Sequence, residues 1–239
     1  MRGVRLQLKL HSISPLGMLC RMTTTSACSA LDRMAHARLL PAVAGLETPE
    51  QAVGLARALL AAGLNVMEIT LRHPAALDFI RAVRAAVPDM SCGAGTVLNA
   101  GQVNTLAREG IPFGVSPGYN PEVIRAAREA GLPFIPGVAT PGELEQAMAL
   151  GCRWVKCFPC EPLGGVSFLK ALNGPYAHTG VRMVPMGGIG RENLLDYLRI
   201  PLVAAVGTSA LSDHALVAAG DWAGLTRRAR DLLDLAGRA

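Results

Sequence analysis

Aromatic residues make up only 4% of the 239 positions of this chain, and lysine is scarcer still: Lys9, Lys156 and Lys170 stand against twenty arginines. The first shortage makes the core aliphatic. The second means that arginine carries the surface positive charge, so each lysine needs a reason of its own. Acidic residues are missing before Asp32, where Arg2, Arg5, Lys9 and Arg21 contribute four positive charges. With those four set aside, the net charge of +5 falls to +1 for the rest of the chain. A nearly neutral body with mixed signs lacks the basic stripe of a nucleic-acid binder, and no nucleic-acid partner is expected. Each apolar run is broken by proline, glycine, arginine or polar residues before it reaches the roughly 18 residues of a transmembrane helix. The expectation is a soluble protein with no membrane partner.

Other chemistries are also thinly provided for. Cys20, Cys28, Cys92, Cys152, Cys157 and Cys160 come without a secretory signal, which predicts reduced thiols in a cytoplasmic setting and not a disulfide scaffold. His11, His36, His73, His178 and His214 are scattered, and only His73 stands near a strand end, so no metal is expected. Cys157 and Cys160 form a CxxC. It overlies a strand end and has no second pair, which favours packing over a redox or zinc role.

What is present describes one packed domain. The composition is 51% hydrophobic and 17% charged, and the length is close to the roughly 250 residues of an eight-stranded α/β barrel. Residues 1–31 loosely resemble a transit peptide. They are expected to be a disordered extension, or to precede a true start at Met22 or Met34, leaving 32–239 as the folded domain.

From Leu39 onward short β-prone runs alternate with helical periodicity, the pattern of βα units. Eight strands are predicted: 39–43, 65–70, 91–95, 113–116, 134–137, 154–158, 182–185 and 202–206. Thr48 with Pro49 and Glu50 marks a helix start, and Pro74, Pro121 and Pro141 mark others; Gly63, Gly110, Gly131 and Gly151 mark ends. The strand count favours a single (β/α)8 TIM barrel, with an open doubly wound sheet as the alternative. In a barrel the chemistry lies at the C-terminal strand ends.

Most of these strands carry no charge, but Glu68 lies in NVMEIT and Lys156 in WVKCF. Strand alternation puts Val66, Glu68 and Thr70 on one side, and Trp154, Lys156 and Phe158 on one side of another strand. If both sides face the axis, the two charges meet near the mouth. A buried ion pair is the structural reading of that meeting. The functional one is that an amine, unlike a guanidinium, loses its proton and attacks a carbonyl, which explains a strand lysine in an arginine-using chain. The iminium so formed is an electron sink for cleavage of a carbon–carbon bond, and Glu68 would move the protons, directly or through water.

The stretches NVMEITLR, GAGTVLN, SPG, FIPGVAT, VKCFPCE, PMGGI and VGTS, in this order, resemble the 2-keto-3-deoxy-6-phosphogluconate and 4-hydroxy-2-oxoglutarate aldolase family. The resemblance spans about residues 39–210. It implies a class I aldolase that needs no cofactor beyond the Schiff base on Lys156, with Glu68 as general acid and base. It further implies that Arg72 and Thr96 hold the carboxylate and keto end, that Pro117 and Phe158 line the pyruvyl pocket, and that Gly187, Gly188 and Ser209 meet a phosphate. A small, phosphorylated 2-keto acid and a homotrimer are the implied partners. One position departs: the family usually has Thr before the paired glycines, and this chain has Met186, which puts its discrimination at the distal end of the substrate in question. Sugar-acid phosphate, its galactonate epimer and 4-hydroxy-2-oxoglutarate all remain open as substrates. Phosphate-binding barrels also include epimerases and synthases, which fold alone does not separate.

Overall fold

The computed structural model describes residues 25–239. Helix α1 (Thr25–Ala37) leads into β1 (Leu39–Val43), α2 (Pro49–Ala61), β2 (Val66–Thr70), α3 (Ala76–Ala86), β3 (Ser91–Gly95), α4 (Ala100–Arg108), β4 (Gly114–Val115) and α5 (Pro121–Glu129). There follow β5 (Phe134–Ile135), β6 (Gly137–Val138), α6 (Pro141–Ala149), β7 (Trp154–Cys157), α7 (Gly165–Tyr176), β8 (Arg182–Pro185), α8 (Leu194–Leu198), β9 (Val206–Thr208), α9 (His214–Ala219) and α10 (Trp222–Ala236). All strand pairs are parallel, in the orders β5-β4-β3-β2-β1-β9 and β6-β7-β8. The result is an α/β fold with a curled parallel sheet and helices outside it.

Both seams between the two strand groups carry backbone hydrogen bonds. Pro136 separates β5 from β6 because a proline has no N–H to give to a ladder. Its carbonyl still accepts from Lys156 N at 2.8 Å. On the other side, Met183 N donates to Leu202 O at 2.7 Å and Ala204 N to Met183 O at 3.0 Å. Outside the sheet, Leu55 and Leu59 of α2, Ile80 and Val83 of α3, and Leu225 and Leu232 of α10 are buried. Burying each such side chain contributes about 1.5–3 kcal/mol. Gly54 lets α10 close on α2, since a Cβ there would collide with the Trp222 ring.

The helix starts follow the expected chemistry in all but one case. Thr48, Asn120 and Thr140 cap α2, α5 and α6 with proline next in the helix, and Thr140 forms a capping box with Glu143. Pro74 does not open α3. His73 Nδ1 accepts from Ala75 N at 3.1 Å and His73 O from Ala76 N at 3.0 Å, so a turn delays the helix to Ala76.

Two expected boundaries need correction. The sequence pattern predicts an eighth strand over 202–206, whereas β9 is Val206–Thr208 and Val203 makes only an isolated bridge to Met183. The run LVAAV reads as a strand by composition, but Val203 N is tied to Ile200 O by the turn after α8. Strand β9 therefore ends at Thr208 and delivers Ser209 directly to the mouth. The domain boundary at residue 32 is crossed by α1, in which Ala30 and Met34, one turn apart, are fully buried. The folded body thus includes residues assigned to the extension, while the expectation for 1–24 lies outside the described residues.

Candidate active site

Glu68 sits at the centre of β2, paired in register with Ala42 of β1 and Gly93 of β3. Lys156 lies in β7, in register with Gly137 and Val184. These strands are not neighbours. Curling of the sheet brings the two side chains together across the interior, with Lys156 Nζ 4.0 Å from Glu68 Oε1. Both are buried, Glu68 to 1% and Lys156 to 7% exposure, so the charges sit where desolvation matters.

Room for the Glu68 carboxyl comes from the neighbouring strand. A Cβ on Gly95 would lie 3.0 Å from both Cδ and Oε1 of Glu68. Burial holds the Glu68 carboxyl above its usual range, against the lowering effects of Lys156 and then Arg72. Its Oε2 is buried with no hydrogen-bond partner among the described residues. Lys156 Nζ also lies over the Phe158 ring, 4.8 Å from its centroid.

Thr96 follows β3 with φ +58°, an uncommon conformation for a β-branched residue. It costs on the order of 1–3 kcal/mol and persists because both flanks are pinned. Leu71 N donates to Gly95 O at 2.8 Å and Val97 N to Val115 O at 3.0 Å. Thr96 does not cap the following helix: the cap of α4 is Asn99, whose side chain accepts from Gln102 N. Arg72 is exposed at the end of β2 and donates Nε to Thr70 Oγ1 at 3.3 Å.

All nine residues singled out from the sequence line one cavity of about 360 Å³: Glu68, Arg72, Thr96, Pro117, Lys156, Phe158, Gly187, Gly188 and Ser209. Pocket size and the few convergent polar groups fit a small metabolite. Sequence reasoning missed Ala42, Ile189, Gly207 and Thr208 on its wall. Strand alternation in LLPAV could have indicated Ala42, and Thr208 stands inside the VGTS stretch. Met186 also lines the cavity, and its side chain lies so closely over β9 that a Cβ at Gly207 would collide with it. On the far side of Arg72 a second cavity of about 280 Å³ opens, with Thr70 and Arg72 shared between the two.

The sequence profile of the KDPG and KHG aldolases matches residues 31–228. The chain belongs to this aldolase family. Within it, the 2-dehydro-3-deoxy-phosphogluconate aldolase of Treponema pallidum is 42% identical over 208 residues, covering 87% of this chain and 96% of that protein. The KHG/KDPG aldolase of Escherichia coli is 41% identical over 185 residues, covering 77% and 86%. A crystal structure of the KDPG aldolase from Legionella pneumophila, with pyruvate captured at low pH as a covalent carbinolamine, aligns with a TM-score of 0.80. It shares 33% identity and covers 84% of this chain and 96% of that one.

The CxxC of this family member lies behind the cavity. Cys157 and Cys160 are buried to 1% and 0% exposure and belong to the hydrophobic core. A hydrogen bond with Cys160 and then burial hold the Cys157 thiol up. Burial likewise pushes Cys152 up to about 11. Among the described residues no group of three or more His, Cys, Asp or Glu could hold a metal, and no helix is long and apolar enough to cross a membrane.

Proposed function

We propose that this protein is a class I aldolase that cleaves 2-keto-3-deoxy-6-phosphogluconate to pyruvate and glyceraldehyde 3-phosphate, and 4-hydroxy-2-oxoglutarate to pyruvate and glyoxylate. The observation that carries this reading is the buried Lys156 amine, 4.0 Å from the Glu68 carboxyl inside a metabolite-sized cavity. Lys156 attacks the C2 carbonyl, the carbinolamine loses water, and an iminium forms. The C3–C4 bonding electrons then move into the iminium to give an enamine. Glu68, directly or through one water, takes the C4 hydroxyl proton as the aldehyde leaves. It returns a proton to C3, and water releases pyruvate.

The groups around this pair divide the labour. Arg72 and Thr96 stand at the mouth on the Glu68 side and suit the carboxylate and keto end, a planar donor fork and a hydroxyl. Pro117 and Phe158 wall the pyruvyl pocket. Gly187, Gly188 and Ser209 offer backbone donors suited to a phosphate after the last two strands. The chemistry calls for no metal and no cofactor beyond the covalent imine. Incubation with pyruvate and borohydride tests the reading: a pyruvyl adduct on Lys156 supports it, and folded protein that takes up none refutes it.

Glycine at 95 is part of the design. Gly95→Ala should displace the Glu68 carboxyl by a few tenths of an ångström and lower kcat by about 10-fold, since a 1 Å misplacement costs roughly 100-fold. Steady-state kinetics with a thermal unfolding control would check this. Met186 replaces a hydroxyl with an apolar thioether in the distal half of the cavity. Restoring it by Met186→Thr should raise the kcat/KM preference for phosphorylated over unphosphorylated substrate by about 2- to 10-fold, the value of one hydrogen bond. An unchanged ratio would remove Met186 from the specificity argument.

The finer architecture and setting belong to the same proposal. A closed eight-stranded barrel, with β5 and β6 as one strand interrupted at Pro136, is supported by the hydrogen bonds across both seams. A homotrimer rests on family likeness. Light scattering reads that assembly directly. A cytoplasmic location fits the free thiols of Cys92, Cys152, Cys157 and Cys160.

A further inference from the structure

The loop after β8 has an unusual supply of free donors. Met186 O accepts from Cys160 N at 2.7 Å and Gly187 O from Glu161 N at 3.1 Å. Gly188 O accepts from Asn193 Nδ2 at 3.2 Å. In a planar trans peptide the N–H points opposite to the C=O. The N–H groups of Gly187, Gly188 and Ile189 are therefore turned away from those partners, and none has an acceptor among the described residues. All three residues line the cavity. Gly187 and Gly188 have φ of +96° and +85°, and successive N–H groups in such a turn form an anion-binding nest.

A side-chain bracket outside the cavity sets this arrangement. Asn193 Oδ1 accepts from Gly190 N at 2.9 Å, while its Nδ2 spans Gly188 O and Glu161 Oε1, the latter at 3.0 Å. A flipped amide would set Oδ1 against the Glu161 carboxylate and leave Gly188 O without a donor, so Glu161 fixes which way Asn193 points. The hydroxyl of the fully buried Tyr197 donates to the same carboxylate oxygen and anchors it. Glu161 also packs against the loop: a Cβ on Gly188 would lie 2.6 Å from its Cγ.

We propose that Asn193, oriented by Glu161 and Tyr197, is a positioning residue that holds three peptide N–H groups toward the distal phosphate of the substrate. It touches no reacting atom, and the inference rests on the proposed aldolase reading. Asn193→Ala should raise KM for the phosphorylated substrate and weaken inhibition by inorganic phosphate, each by about 10-fold. Exchange of pyruvate methyl protons, which needs only the Lys156 end, should stay within about two-fold of the parent and serves as the folding control. Glu161→Ala should follow Asn193→Ala, whereas Glu161→Gln keeps an acceptor and should stay within about three-fold.

Variants that match the parent in KM and phosphate inhibition would overturn the bracket, as would a parallel loss of pyruvate exchange. A parent that exchanges pyruvate protons but ignores phosphate would remove the distal-phosphate reading and the bracket together. A parent that exchanges none would instead count against the aldolase reading itself.

Discussion

Lys156→Arg is expected to abolish adduct formation with pyruvate and to lower kcat/KM by about 10⁴-fold or more, on the scale seen when a covalent nucleophile is removed. Arginine preserves the positive charge, so the pair with Glu68 is not simply broken. What it removes is the ability to present an unprotonated nitrogen to a carbonyl. A purely structural ion pair predicts the opposite pattern, with activity retained and stability altered. Mass spectrometry after borohydride trapping, read beside a thermal unfolding curve, separates the two: a substantially active Lys156→Arg enzyme would end the Schiff-base reading.

Glu68→Gln should form the adduct slowly and lower kcat by about 10²- to 10⁴-fold, the usual worth of general acid–base catalysis. Its pH signature is as informative as its size. Burial raises the Glu68 carboxyl above the ordinary 4.5, with Lys156 and Arg72 pulling the other way. With ionised Glu68 as the base, the parent loses kcat as pH falls through a value above 4.5, and the Glu68→Gln enzyme should lack that limb. Stability runs in the opposite sense. A raised pKa means that the folded state holds the proton more tightly than the unfolded chain. The contribution of Glu68 is therefore most favourable below 4.5 and declines as pH rises through the folded value. The difference in melting temperature between parent and Glu68→Gln should shift in favour of the variant across that window. A pH-independent difference would contradict the burial argument.

The two Glu68 expectations together describe a site maintained at some cost. A carboxyl held in an apolar interior, one oxygen without a partner among the described residues, and a β-branched Thr96 in the left-handed region are each unfavourable to folding. They occur around one cavity. The surrounding ladder bonds, on Gly95 O and Val97 N among others, hold these features in place.

Much of this was legible along the chain because strand alternation and lysine scarcity are local properties. Alternation alone put Glu68 and Thr70 on one face, and composition alone made Lys156 conspicuous; turn residues placed most of the helix starts. The misjudged positions are those where a local pattern competes with a distant contact. LVAAV has the composition of a strand, but its first residues are held in the turn after α8 and only Val206 enters β9; Ala30 looks like part of an acid-free tail until it is buried beside Met34.

By itself, then, the sequence determined the alternation of strands and helices, the two charged strand residues and the family to which the ordered motifs point, since all of these are written in spacing. Only the tertiary structure decided that β2 and β7, which are not neighbours in the sheet, bring Glu68 and Lys156 to 4.0 Å. It alone decided that Gly95 and Gly207 are small because Glu68 and Met186 lie over them, and that Asn193 and Tyr197 support the loop at Gly187. These depend on curvature and on side chains far apart in the chain, and no period of two or 3.6 residues encodes them.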